Sequence, residues 1–362
     1  MKKIVIISFM LIMAISTITT AKTLEIVDMA DRKITVPHDP SKIICIGPGA
    51  LRLIVYLNAQ DKLAGVEDME KLNPGGRPYW LANPQLANLP RIGPGGPASI
   101  NKKPDLEAIV SAHPNIIFIT QADAALANEV QQQLGIPLVV LSYGAFATFD
   151  EKIYDSIRLA GKILNRDSRA EAVIQFIESA RKELQEKTKG IPDNEKPTVF
   201  VGGIGFRGAY GIESTEKNYI PLKWANAKNI AENLPASEAT HVFIDKEKLL
   251  ALNPDIIFID GGGMELVRQD MLKKPQYYNA LNAFQNKQVY SLLPFNFYTT
   301  NIETALADAY VIARIVDPKT FADLDIEKKT DEIYTFMVGK PVYADMKKRY
   351  GKIGQLFEMK GK

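Results

Sequence analysis

Residues 105–119 and 245–259 of the 362-residue chain align without a gap, and this correspondence constrains the fold more than any other feature. Asp105, Glu107, Pro114 and Ile116-Ile117-Phe118-Ile119 recur as Asp245, Glu247, Pro254 and Ile256-Ile257-Phe258-Ile259. Each copy reads as a short helix opened by an acid and stopped before a proline that cannot continue it. A run apolar enough for a buried strand follows. Helix–proline–strand is a common passage, but one copy per half speaks for two units built on one plan. Two copies so far apart do not make a solenoid.

Around the repeat, short apolar runs alternate with helical stretches. A strand pair is expected at 24–28 and 33–36. Strands follow at 43–46, 116–120 and 138–142, and again at 198–201, 256–260 and 288–292, with helices at 50–58 and 122–134. This β-loop-α alternation is the pattern of parallel α/β units. Residues 150–164 and 169–187 carry apolar side chains at helical spacing, with Asn165-Arg166-Asp167-Ser168 as break and cap between them. The second helix would span roughly 28 Å at ~1.5 Å per residue. The fold class expected is α/β, with two Rossmann-like lobes, parallel-rich central sheets and a single long backbone helix joining them. The divisions expected are a signal peptide at 1–21, an N-terminal α/β lobe at 22–148, linking helices at 149–190 and a C-terminal α/β lobe at 191–362. A stiff connecting helix would let a cleft between the lobes close only modestly.

The first 21 residues read as an address. Lys2-Lys3, an apolar run at 4–18 and Thr19-Thr20-Ala21 form the charged, apolar and small-residue regions of a cleavable signal. The apolar run is shorter than the roughly 20 residues of a spanning helix. Cys45 lies well beyond the cleavage point, so a lipid-bearing cysteine is not expected there, and the product expected is a soluble periplasmic protein. Without Lys2 and Lys3, the 44 Lys and Arg fall to 42, level with the 42 Asp and Glu. A neutral chain carries no electrostatic footprint for nucleic acid. One Cys excludes a disulfide framework, a thiolate zinc cluster and an iron–sulfur site, and three His leave little for an all-protein transition-metal site.

No set of catalytic residues stands out. The chain has no Gly-x-Ser-x-Gly elbow, no His-Glu-x-x-His and no phosphate-binding Gly-Lys-Ser/Thr. Cys45, inside an apolar strand pattern, reads as an inert buried thiol. No enzyme is expected. Gly47-Pro48-Gly49, Gly75-Gly76, Gly93-Pro94-Gly95-Gly96, Gly202-Gly203-x-Gly205 and Gly261-Gly262-Gly263 mostly follow strand-like runs. Ordinary turns would explain any one of them. Together they point to a cleft, because ligands of open α/β sheets sit beyond the carboxyl ends of strands. The loops also carry aromatic and cationic residues: Arg77, Tyr79, Trp80, Tyr143 and Phe146, then Phe206, Arg207, Tyr210, Trp224, Phe297 and Tyr298. Arg52, Arg91 and Arg268 stand in or beside them. An aromatic floor with a few guanidinium groups suits a bulky anionic or π-rich ligand, although each aromatic taken singly also fits lobe packing. His38 lies in a Pro-flanked turn, and His113 fills the repeat position of Asn253. His241 is the histidine expected at a ligand, completing the shell of a metal whose other donors come from a chelator; a Tyr298 phenolate could do the same for ferric iron.

Several short motifs occur in an order that resembles one family. They are Val36-Pro37 to Ile43-Ile44-Cys45-Ile46, Asn88-Leu89-Pro90-x-Ile92-Gly93, Leu106-Glu107 with Pro114-Asn115-Ile116-Ile117, Gly135-Ile136-Pro137, 226–231 and Asn253-Pro254-Asp255-Ile256-Ile257. Together they are similar to the substrate-binding proteins of ATP-driven (ABC) importers for iron–siderophore complexes, haem and cobalamin. The resemblance implies two lobes on a rigid backbone helix, the ligand between them, and docking on an inner-membrane permease through one glutamate per lobe. By position those are Glu107 and Glu247, which could equally be acids complementing helix dipoles. His241 and Tyr298 fall near a His and a Tyr that reach iron in some siderophore binders. Arg52 stands where many relatives have Glu, and the loop at 75–97 is long. The expectation is a monomeric carrier, without intrinsic cofactor, for a metal chelate. A ferric siderophore (Fe(III)) is favoured, then a nickel (Ni(II)) or other small chelate, then haem or cobalamin. An exported metallochaperone or enzyme using the same cleft is the alternative of another class, and a sensor subunit for a membrane receptor a third.

Overall fold

The computed structural model describes residues 22–72, 74–144, 149–205, 208–236 and 240–358. The expected signal segment at 1–21 lies outside them. The chain opens with an antiparallel hairpin, β1 (Thr23–Val27) and β2 (Lys33–Pro37). A parallel sheet follows in chain order: β3 (Ile43–Ile46), β4 (Ile116–Thr120) and β5 (Leu138–Leu141). Ile43 stands opposite Ile116, and Ile117 opposite Leu138. Between β3 and β4 run α1 (Ala50–Tyr56), α2 (Asp68–Lys71), α3 (Pro78–Ala82) and α4 (Leu106–Ala112), and α5 (Ala124–Leu134) links β4 to β5. Then α6 (Lys152–Ile163) and the 22-residue α7 (Asp167–Thr188) carry the chain to the second half.

That half contains β6 (Thr198–Gly202), β7 (Ser214–Glu216), α8 (Ile220–Trp224), β8 (Lys228–Asn229), β9 (His241–Phe243), α9 (Lys246–Leu252) and β10 (Ile256–Ile259). It continues through α10 (Met264–Lys273), α11 (Pro275–Asn279), α12 (Asn282–Gln285) and β11 (Val289–Ser291). Its parallel sheet has the order β11-β10-β6-β8, and β7 and β9 form a separate antiparallel pair. Three helices end the chain: α13 (Ile302–Val316), α14 (Ile326–Val338) and α15 (Tyr343–Tyr350).

The internal repeat folds twice into the same unit, including where its residues differ. Asp105 and Asp245 are N-caps that accept from the backbone NH of Ala108 (3.1 Å) and Lys248 (2.6 Å). His113 (φ 50°) and Asn253 (φ 40°) both end their helices in the left-handed conformation. Asn115 accepts from Lys42 N (2.9 Å), ahead of β3, and Asp255 accepts from Thr198 N (2.7 Å), at the start of β6. The repeat therefore aligns each central strand, β4 or β10, with its neighbour.

Strand alternation then divides the core. Ile43, Cys45, Ile116 and Phe118 face one way, as do Val199, Val201, Ile256 and Phe258 in the second sheet. All belong to a single apolar cluster that also takes in α1, α7 and α13. Ile44, Ile46, Ile117 and Ile119 pack in a separate outer cluster, and Phe200, Ile257 and Ile259 in another. At about 1.5–3 kcal/mol for each large side chain enclosed, the shared cluster binds the halves to one another. α14 packs against α1 and α3 of the first half, so the last helices hold both halves. Cys45 is a free, buried thiol whose pKa burial pushes well up, with Glu70 and Glu67 adding to it.

Candidate functional site

Both parallel sheets end at the same place. Pro48 follows β3, Gln121 follows β4, Ile204 to Ala209 follow β6, Asp260 and Gly262 follow β10, and Pro294 to Thr299 follow β11. Residues of all five loops line one cavity of about 1030 Å³. It lies at the carboxyl ends of the strands of both halves, where open α/β sheets place ligands. Met69 and the segment around Pro97 complete the wall from the long loop of the first half. The β3–α1 loop that bears Pro48 needs its glycines. Gly47 and Gly49 have φ of 86° and 82°, and a Cβ on Gly47 would stand 2.7 Å from Thr120 O.

The wall from 297 to 299 is held by a buried cation. Arg52, fully enclosed on α1, donates from Nη2 to the carbonyls of Phe297 and Tyr298, both at 3.0 Å. Its Nη1 reaches Thr300 O (3.0 Å) and the Tyr143 hydroxyl (3.3 Å), and its Nε reaches Asn301 Oδ1 (3.0 Å). Tyr298 (φ 54°) and Thr299 (φ 65°) are consecutive left-handed residues without glycine, each costing about 1–3 kcal/mol unless the surroundings hold it. Tyr298 also ties the halves together. Its hydroxyl donates to Glu67 Oε2 (2.8 Å) and accepts from Gly96 N (3.0 Å), while Glu67 Oε2 accepts from Gly47 N (3.1 Å).

Burial pushes the Glu67 carboxyl up to about 7, against the bonds from Tyr298 and Gly47. Burial and the adjoining Glu67 push the Tyr298 phenol far above its ordinary value. Glu67 is thus protonated in the fold at a pH where it is ionised in the unfolded chain. Its stabilising protonation fades as pH rises from about 4.5 to about 7, an effect of about 3 kcal/mol at ~1.4 kcal/mol per unit. Glu67→Gln, which never ionises, should gain on the wild type by roughly that amount between pH 4.5 and 8. Urea unfolding at both pH values checks it, and a difference independent of pH would refute it.

Of the residues expected at the cleft, Phe297 and Tyr298 line the cavity. Arg77 is fully buried. It pairs with Glu70 (3.2 Å), donates to the carbonyls of Met69, Glu70 and Leu72, and stacks on Phe297. Tyr79 donates to Glu70 (2.7 Å), and Tyr143 to Gly49 O (3.0 Å). Trp80 lies in the shared core, and Trp224 meets Phe149 edge-on at 5.1 Å. Arg268 covers the ring of Phe357, and Tyr210 packs edge-on against Phe243. Arg91 pairs with Asp68 and Asp105 at the surface. Phe146, Phe206 and Arg207 lie outside the described residues.

His241 stands in β9 opposite Glu216, fully buried, with Nε2 2.8 Å from Ser214 Oγ and its ring against Phe243. It is not among the residues lining the cavity, so the expected pairing with Tyr298 is not assembled there. Among the described residues, no group of three or more His, Cys, Asp or Glu is arranged to hold a metal.

The sequence reading missed Asp260. Its Oδ1 accepts from Gly262 N (2.8 Å) and its Oδ2 from the Tyr219 hydroxyl (3.4 Å), and burial pushes its carboxyl up to about 7. The repeat offered the signal, for Asp260 follows the second copy's Ile256–Ile259 run at the position that Thr120 takes after the first copy's. Glu107 and Glu247 take the second position of α4 and α9. Both are exposed, and neither has an ion-pair partner among the described residues.

The family model described as periplasmic binding protein matches residues 43–294. The molybdate-binding protein MolA of Haemophilus influenzae is 22% identical over 329 residues, covering 85% of this chain and 89% of that protein. Its molybdate-bound structure superposes with a TM-score of 0.68 at 18% identity, over 88% of this chain and 98% of that one. A periplasmic solute-binding protein of Veillonella parvula superposes with a TM-score of 0.72 at 18% identity, over 91% and 97% of the two chains. An uncharacterized ABC transporter substrate-binding lipoprotein of Bacillus subtilis, YvrC, is 22% identical over 297 residues, 82% of this chain and 86% of its own. With both sheets opening on one cavity and the family match spanning most of the chain, the protein belongs to the periplasmic binding proteins, the non-enzymatic substrate-binding components of ABC transporters.

Proposed function

We propose that this protein captures a metal chelate, a ferric siderophore foremost, and delivers it to an inner-membrane permease on which it docks through Glu107 and Glu247. The observation that carries the cargo reading is the cavity itself. At about 1030 Å³ it stands at the upper end of the ~300–1,000 Å³ range for ligand pockets, far larger than a bare ion or small oxyanion fills. Phe295, Phe297 and Pro294 give it an apolar wall suited to the organic shell of a chelate. A nickel or other small chelate, haem or cobalamin are the runners-up within this reading. Tyr298, once released from Glu67, would offer a hard ferric ion a phenolate oxygen at the cavity.

Glu107 and Glu247 sit at the starts of helices that lead into the central strands. A helix that connects parallel strands runs back along the sheet, which supports helix starts toward the strands' carboxyl ends, where the cavity opens. The segment at 1–21 is read as a signal that leaves a free periplasmic carrier. No helix among the described residues is long and apolar enough to cross a membrane. Native mass and metal analysis of protein purified from its own cell envelope tests the cargo. One organic ligand together with its metal is expected. A sugar or peptide without metal, or an oxyanion alone, would overturn the reading.

A further inference from the structure

The described wall of the cavity is nearly without charged side chains. Among the described residues that line it, Asp260 is the only one with a formally charged side chain. The arginines that might have opposed it are committed elsewhere. Arg52 faces backbone carbonyls, Asn301 and Tyr143, and Arg77 faces Glu70 and three carbonyls. Behind Asp260 lie further acids. Glu216 on β7 and Asp308 on α13 are both buried, and Tyr219 at the head of α8 donates to Asp260. Burial, with Asp260 adding to it, holds the Glu216 carboxyl up to about 8. Burial holds that of Asp308 well above the carboxylate range. A donor or a cation arriving from the cavity would meet an acceptor that the fold itself satisfies with one backbone NH and one long phenol bond.

We infer that the cargo presents a cationic or hydrogen-bond-donating group to Asp260, so that the cavity takes metal chelates of neutral or positive net charge and rejects strongly anionic ones. This inference rests on the chelate reading above and adds a charge class to it. Burial holds the Asp260 carboxyl up to about 7, so it is ionised above that pH, and a bound cation favours the ionised form. Enclosed as it is, it then discriminates by charge more strongly than an exposed carboxylate, because attraction and repulsion are less screened at low dielectric. The test is run at pH 8 for that reason. Arg207, which neighbours the lining residue Gly208 in sequence, carries a charge of the opposite sign and is included in the test.

Calorimetric titration of the purified protein with three ferric complexes separates the possibilities. The complexes are that of desferrioxamine B (singly positive), ferrichrome (neutral) and a tris-catecholate (triply negative). The two hydroxamates should bind at least about tenfold more tightly than the catecholate. Asp260→Asn, which keeps an acceptor for Gly262 N, should weaken the positive complex about tenfold and leave the neutral one within about threefold. A catecholate that binds tightest, with a preference abolished by Arg207→Gln and untouched by Asp260→Asn, overturns the charge inference and leaves the chelate reading standing. Failure of all three to bind, with molybdate binding instead, overturns the chelate reading. The wild-type series decides the matter even if the Asp260 variant folds poorly.

Discussion

Arg52→Met should lower the free energy of unfolding by about 3–5 kcal/mol, since several buried acceptors lose their donor at about 1–3 kcal/mol each, partly relieved by relaxation. The expectation follows from what the guanidinium touches. It donates to three backbone carbonyls of the segment 297–300 and to Asn301 and Tyr143, all at 3.3 Å or closer. Methionine fills a similar volume and supplies none of these donors, so buried carbonyls lose partners that water cannot replace. Glu303, fully buried at the head of α13 and bonded to Tyr56, also loses the nearby positive charge. Its carboxyl, already raised by burial, would rise further. The left-handed pair Tyr298–Thr299 is then free to relax, which alters the cavity wall as well as stability. Arg52→Lys keeps the charge but not the planar fork and should fall between the two. Urea unfolding with an unchanged slope measures the loss. A loss below about 1 kcal/mol for the methionine variant would mean that the network adds little to the fold.

The second large effect is on transport. Charge reversal at both proposed docking positions, Glu107→Arg with Glu247→Arg, should cut cargo uptake by at least about tenfold while cargo affinity and thermal stability stay as in the wild type. Both side chains are exposed and have no ion pair to lose among the described residues, and the caps of their helices, Asp105 and Asp245, remain. Neither lines the cavity. Each single reversal should lie between, since the two halves present equivalent helix starts. Uptake assays in cells lacking the native copy, with the purified variants titrated in parallel, give the answer. Normal uptake by the double variant would refute docking through these residues and favour the sensor reading.

Much of the architecture was legible because it depends on local patterns. The central strands β4 and β10 were readable as continuous apolar runs, and the repeat placed equal helices before them. It even equated His113 with Asn253, which proved to be left-handed helix ends, a role open to residues of quite different chemistry. The long helix was found within two residues of its ends, α7 spanning Asp167–Thr188 against an expected 169–187. Three of the glycine loops, 47–49, 202–205 and 261–263, do end strands, whereas Gly75-Gly76 and 93–96 lie in the long connection between β3 and β4, because glycine answers to backbone conformation wherever the chain turns.

The side chains of the site were less legible. Arg77, Tyr79, Trp80, Tyr143 and Trp224 are of types that suit a ligand floor, yet all are buried, the four aromatics in the shared core and Arg77 against Glu70. An aromatic offers the same large apolar surface to a core as to a ligand, and an arginine is as well satisfied by carbonyls as by an anion. His241 illustrates the same limit, since its loop-like surroundings in sequence concealed a strand pairing made with residues 214–216. Asp260 and Glu67 were overlooked for the converse reason: a single acid has no pattern until the fold buries it.

The sequence by itself determined that this is an α/β protein of two like units, with glycine loops after its strands and an acid at the start of each repeated helix. Those properties follow from periodicity, caps and turns, which act over a few residues. Only the tertiary structure decided that the two inner sheet faces share one core, that Arg52 and Glu67 fasten the segment 297–301, and that the one formally charged residue among the described lining of the cavity is Asp260. Each of these depends on burial and on contacts across more than two hundred positions in the chain, or on side-chain direction within a cavity. Desolvation, which sets the charge and hydrogen bonding of such groups, exists only once the chain has closed around them.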